Sequence, residues 1–190
     1  SHPGRILEQQ KRGFLEKIAI WLRANLLVPD PRVFWVKPSV QFLSQLLKEG
    51  QFQAIITTGP PHSLHLIGQQ LKQKHGIPWL ADFRDPWSQW EFLDTLPMLS
   101  FIRRRHEAFE RRVLQQADVV VTISPTFQRD LERLGERKIE LITNGYDPED
   151  IPQDFTPRPK AANQLHLIYT GIIDAIRNPL PLMQALKAEF

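Results

Sequence analysis

Ile55-Ile56-Thr57-Thr58-Gly59-Pro60-Pro61-His62-Ser63 carries an apolar run into a glycine and two prolines, and from there into a helical pattern. The run predicts a strand, and the residues from His62 to Lys74 an amphipathic helix. In an open α/β sheet such a junction lies at the carboxyl end of a strand, where ligands are met. Gly59 permits a turn of unusual backbone geometry, while Pro60 and Pro61 stiffen the loop and aim the helix. The helix start at His62-Ser63 could present unpaired N–H groups and a positive dipole end to a phosphate or oxyanion; alone, the junction favours the plainer reading that Ser63 caps the helix. His62 and His65 stand one helical turn apart, but no carboxylate or further histidine completes a metal set nearby, so a hydrogen-bonding or structural role is expected of them.

Working outward, the same alternation repeats. Strands are expected over 54–58, 79–82, 119–123 and 139–143, and helices over 62–74, 99–116 and 126–134. Upstream, the spacing predicts a helix over 14–28 that ends before Pro29-Asp30-Pro31, and another over 39–48 with Ser39 as its N-cap. Val119-Val120-Val121-Thr122-Ile123 is β-branched throughout, as suits a strand buried on both faces. The expected fold is therefore α/β: a Rossmann-like open, mainly parallel sheet with helices on both faces. Residues 148–164 hold Pro148, Pro152, Pro157 and Pro159 and predict a linker, followed by a strand over 165–170, Gly171 and a helix from Pro179.

Two later junctions concentrate polar chemistry. Asp82-Phe83-Arg84-Asp85-Pro86-Trp87-Ser88-Gln89-Trp90 sets an arginine between two carboxylates, either a self-satisfied ion-pair knot or a guanidinium held for an anionic substrate; the concentration favours the second. Its indoles suit sugar rings and other flat apolar ligands. Asn144-Gly145 tolerates positive φ and, just before the linker, predicts a hinge. The arginines of the 99–117 helix, including Arg103, Arg104, Arg111 and Arg112, predict a solvated face, with anionic lipid as the alternative contact.

Bulk composition narrows the classes further. The chain has 190 residues, 42% hydrophobic, enough for a packed core. Zero cysteines exclude a disulfide scaffold, a thiol nucleophile and a cysteine metal site, and fit the cytoplasm. A net charge of +3 gives no general case for nucleic acid. No run reaches the roughly 20 apolar residues of a membrane span. Ser1-His2 has the look of a cleaved tag.

Taken together, the junctions TTGPPHS, ADFRDPW and ITNGYD, with Pro29-Asp30-Pro31-Arg32 and Trp35 through Ser39, resemble bacterial glycosyltransferases of family 4, of the group-1 type. The resemblance implies the GT-B architecture, two Rossmann-like domains across a cleft, with residues 3–147 as the latter part of the N-terminal acceptor domain, 148–164 as the interdomain linker and 165–190 as the first βα unit of the donor domain. It also implies that opening strands and a later glutamate motif belong to the whole protein, and that this stretch alone is inactive. The implied reaction is hexosyl transfer from a nucleoside-diphosphate sugar to an acceptor hydroxyl, with retention, in cell-envelope or polysaccharide synthesis, with no cofactor and no metal required. On that mapping Arg84 stands near the place of a catalytic histidine, with Asp85 beside it; Gly171 and Arg177 fall at the donor pyrophosphate; and Gly59, His62, Ser63, Trp87, Asn144 and Gly145 line the acceptor side of the cleft. Ile172 stands where the family commonly has an arginine. The expected partners are a nucleotide sugar and a glycan or lipid-linked acceptor, with peripheral contact at the inner membrane face, no nucleic acid, and a homodimer of the fragment through an open sheet edge or an apolar helix face. A non-catalytic α/β binding domain and a nucleotide-sugar epimerase of GT-B fold are the alternatives.

Overall fold

Where the helical spacing begins, the helices begin: α1 spans Phe14–Leu26 and α2 spans Val36–Lys48, with a 3-10 turn over Pro31–Trp35 between them. The computed structural model describes residues 13–50, 52–150, 166–173 and 177–189. The chain divides into two units, Gly13–Tyr146 and the remaining residues. α2 starts three residues before the expected Ser39. Asp30 accepts from the Arg32 N–H at 2.9 Å and starts the 3-10 turn, which runs directly into α2; Pro38 falls in the first helical turn, where no intrahelical N–H bond is lost.

The alternating pattern then forms as expected, with ends shifted by at most two residues. It runs β1 Ile55–Gly59, α3 Ser63–His75, β2 Trp79–Phe83, α4 Ser100–Gln116, β3 Val119–Thr122, α5 Pro125–Gly135 and β4 Glu140–Leu141. The strands lie in the order β1-β2-β3-β4, all parallel, so the expected open α/β sheet is present. β4 is shorter than the apolar run 139–143 because only Glu140 and Leu141 pair with β3. Arg137 finishes α4 by donating to the carbonyls of Leu114 and Ala117, at 2.9 and 2.5 Å.

A sheet built in sequence order sends each crossover the same way round, so its helices collect on one face. The core confirms this: Leu66, Ile67 and Leu71 of α3, Val113 and Leu114 of α4 and Leu131 of α5 form one buried cluster with Trp79, Ala81, Phe83 and Val120. Each such large side chain contributes roughly 1.5–3 kcal/mol by leaving water. α3 approaches the strands so closely that a Cβ on Gly68 would stand 2.4 Å from the Trp79 indole nitrogen, which itself donates to Thr57 Oγ1 at 2.8 Å. The opposite face carries the in-register row Ile56, Leu80 and Val119. There Ile56 is 72% exposed and Val119 39%, which corrects the reading of β3 as buried on both faces throughout.

In the second unit, α6 spans Leu180–Glu189, close to the expected start at Pro179. The strand expected over 165–170 does not form in its described residues 166–170, where no neighbouring strand supplies a ladder. Most of the expected linker, 151–164, lies outside the described residues. Among the described residues no helix is long and apolar enough to cross a membrane.

Candidate functional site

Side chains alternate across a strand, so the carboxyl ends of β1 and β2 send neighbouring residues to opposite sides of the sheet. Gly59 and Phe83 turn to the helix-covered side; Thr58 and Asp82, paired in register, turn to the open side. The same junctions thus supply an inner and an outer cluster.

The inner cluster is closed. Asp30 accepts from the Ser63 N–H at 2.8 Å and from its hydroxyl at 3.0 Å, so a carboxylate from before α2 occupies the start of α3. The amide that the sequence offered to a phosphate is held by the protein itself. The His62 ring stacks on Trp87, 5.0 Å between centroids and 4° from parallel. Trp87 donates its indole N–H to His106 Nδ1 at 3.1 Å, and the Ser88 amide donates to Glu110 at 2.9 Å. His62, Ser63, His65, Trp87, Ser88, His106 and Glu110 are all buried. Burial holds the imidazoles of His62 and His106 down to about 4 and that of His65 to about 3, so all three are neutral at pH 7. Nearby Arg103 adds to the effect at His106, and Asp30 works against it at His62. Burial also pushes Glu110 above the usual carboxylate range, against the hydrogen bonds from Ser88.

The outer cluster is open. Thr58 Oγ1 donates to Asp82 Oδ2 at 3.0 Å, Arg84 Nη1 lies 3.8 Å from the same oxygen, and Arg84 Nη2 donates to Asn144 Oδ1. The Arg84 amide donates to the Gly59 carbonyl at 3.1 Å, which fixes the start of this loop over the end of β1. The Arg84 side chain remains 49% exposed. A guanidinium has five N–H donors in one plane, and two neighbours leave others for an anion or a hydroxyl. The row Thr58, Asp82, Arg84, Asn144 thus crosses the carboxyl end of the parallel sheet, where open α/β folds bind their ligands.

Of the expected site residues, the structure brings Arg84 and Asn144 together, with exposed Gly145 adjoining. Gly59, His62, Ser63 and Trp87 fall in the closed cluster. Asp85 is exposed beside Gln89 and Asp130 and does not pair with Arg84; Asp82 does. Gly171 and Arg177, both exposed, belong to the second unit, where a side chain on Gly171 would meet the Tyr169 hydroxyl at 2.8 Å. Sequence reasoning missed the partners Thr58, Asp30, His106 and Glu110. Ile102, His106, Glu110 and Val113 follow one another at helical spacing on the buried side of α4, and polar residues inside an apolar stripe were the signal for the last two.

The family model of the glycosyl transferase 4-like domain matches residues 8–145. No curated protein and no solved structure gives a significant match. The match takes in the whole sheet and both clusters at its carboxyl end, and over this stretch the chain belongs to the glycosyl transferase 4-like family.

Proposed function

We propose that the protein transfers a hexosyl group from a nucleoside-diphosphate sugar to an acceptor hydroxyl, with retention and without a required metal, in cell-envelope or surface-polysaccharide assembly. The observation that carries this reading is the exposed row of Thr58, Asp82, Arg84 and Asn144 across the strand ends of a chain in this family. In this reading Gly13–Tyr146 serves as the acceptor domain, and Arg84 lends positive charge where the leaving diphosphate develops its own. Preorganised charge of that kind is commonly the largest contribution to such catalysis. Asp82 and Asn144 hold the guanidinium in place. Gly171 and Arg177 are proposed for the donor pyrophosphate, and a cytoplasmic location at the inner membrane face fits a lipid-linked acceptor.

The test is release of nucleoside diphosphate by the full-length protein against a panel of nucleotide sugars, with and without lipid-linked or glycan acceptors. Acceptor-dependent release supports the proposal, and Arg84→Ala and Arg177→Ala should each reduce it. The engagement of Arg84 by Asp82 and Asn144 favours one other reading, a non-catalytic binding domain with a self-satisfied ion-pair knot. Nucleotide-sugar binding with no release under any acceptor would support that instead.

A further inference from the structure

Among the described residues, three buried side-chain atoms have no hydrogen-bond partner: His62 Nδ1, His65 Nε2 and Ser88 Oγ. Two of them meet at one place. A Cβ on Gly59 would stand 2.6 Å from His65 Nε2 and 3.0 Å from His62 Nδ1, so the two nitrogens are at most 5.6 Å apart. That is within the span of two hydrogen bonds through a single oxygen. A buried polar atom without a partner costs roughly 1–3 kcal/mol, so two of them converging on one point call for a shared partner.

The surrounding hydrogen bonds say which nitrogen carries the proton. The Trp79 indole can only donate, and it donates to Thr57 Oγ1 at 2.8 Å. The Thr57 hydroxyl lies 2.9 Å from His65 Nδ1 and has no other acceptor, so its own proton points there. His65 Nδ1 is therefore an acceptor, and its proton sits on Nε2, facing Gly59. His62 Nδ1 faces the same point with no partner of its own. A hydroxyl can accept from the His65 Nε2–H and either donate to a bare His62 Nδ1 or accept from a protonated one, so it completes both nitrogens, whereas a cation cannot meet the His65 N–H.

We infer that His62 Nδ1 and His65 Nε2, converging on Gly59, form a binding site for one hydroxyl group, occupied by a single buried water molecule. Water is favoured over a sugar hydroxyl because the site is closed: the Trp87 indole lies over the His62 ring, and Phe83 stacks on His65 with 4.5 Å between centroids. The water links Trp79, Thr57 and His65 on the sheet side to His62, whose ring stacks on Trp87 of the loop that carries Arg84. It is a positioning element, and it holds whether or not the protein proves to be a transferase.

The test is NMR on the full chain with 15N-labelled histidine at pH 7. Expected are the Nε2–H tautomer for His65 and a cross peak from its Nε2–H to a long-lived water. His62→Phe keeps the ring stack and removes the second nitrogen, and should abolish that cross peak while the Thr57 bond keeps the His65 tautomer unchanged. If this variant fails to fold, the wild-type tautomers and water cross peak still decide. A proton on His65 Nδ1, or its Nε2–H without a water cross peak, would overturn the inference. So would a His65 Nε2–H signal that appears only when a saccharide acceptor is added, which would assign the site to a substrate hydroxyl.

Discussion

Gly59 and Thr58 are neighbours in the chain, yet they serve opposite sides of the sheet. On one side, histidines, an indole and a glutamate are buried and bonded to one another and to the backbone. On the other, a hydroxyl, a carboxylate, a guanidinium and an amide form an exposed row. The period of two in a β-strand makes that division. It teaches that a motif such as TTGPPHS is two messages interleaved, one for the scaffold and one for the surface, and that residues next to each other in a motif need not share a role.

The largest effect should separate the two sides by pH. The three buried imidazoles sit well below their usual 6.5, so the unfolded chain binds more protons once the pH falls below that value. Their contribution to stability is complete above pH 6.5 and is lost as the pH drops towards 4. For one imidazole held at about 4 the loss is roughly 3 kcal/mol, and three together rival the whole stability of a domain. Glu110 works the other way, because its raised pKa is a cost at neutral pH that protonation relieves. Acid unfolding followed by circular dichroism should therefore begin above pH 4; a chain fully folded at pH 3 would show that the inner cluster is wetter than its burial implies.

Next in size is Gly59→Val. A side chain there meets both histidine nitrogens at 3.0 Å or less, and overpacking of this kind costs about 1–3 kcal/mol in a urea melt. An unchanged midpoint would mean that the inner side yields as easily as the outer.

Asp30→Ala should cost about 1–2 kcal/mol, since it removes the group that receives both the first amide and the hydroxyl of α3. Asp30→Asn keeps an acceptor and should recover part of the loss. The smallest stability effect belongs to the outer row. Arg84→Ala removes an exposed contact and should shift stability by less than about 0.5 kcal/mol. Turnover by the full-length protein should nonetheless fall on the order of a hundredfold. A large loss of stability with little loss of turnover would place Arg84 with the scaffold and erase the distinction between the sides.

Much of the fold was legible because the alternating units repeat a simple signal: an apolar, β-branched run, a turn, then a period of 3.6. Every strand and helix of the sheet was found that way. What escaped was set by long-range contact. α2 begins at Val36 because Asp30 starts a 3-10 turn that feeds into it, and no local propensity places Trp35 as the residue before a helix. Val119 is exposed because three crossovers in one direction cover one face, a property of strand order rather than of a five-residue run. The choice between Asp82 and Asp85 turned on pleat. Both flank Arg84, but Asp82 is the strand residue that pairs in register with Thr58, and register is invisible until strands are laid side by side. His106 and Glu110 were hidden for a different reason. A polar residue in an apolar stripe reads as an interruption until its partners, Trp87 and Ser88, arrive from another loop.

The stack of Trp87 on His62 also gives the protein an optical signal of its own. Trp79 and Trp87 are buried, at 1% and 2% exposure, whereas Trp21, Trp35 and Trp90 are all above 40%. An external quencher such as iodide would silence the exposed three and leave a blue-shifted emission from the buried pair. Of these, Trp87 rides on the loop that presents Arg84, and it touches a histidine whose protonation would quench it. Movement of that loop on meeting a ligand should thus be visible as a change in unlabelled fluorescence, read at the same residue that holds the loop in place.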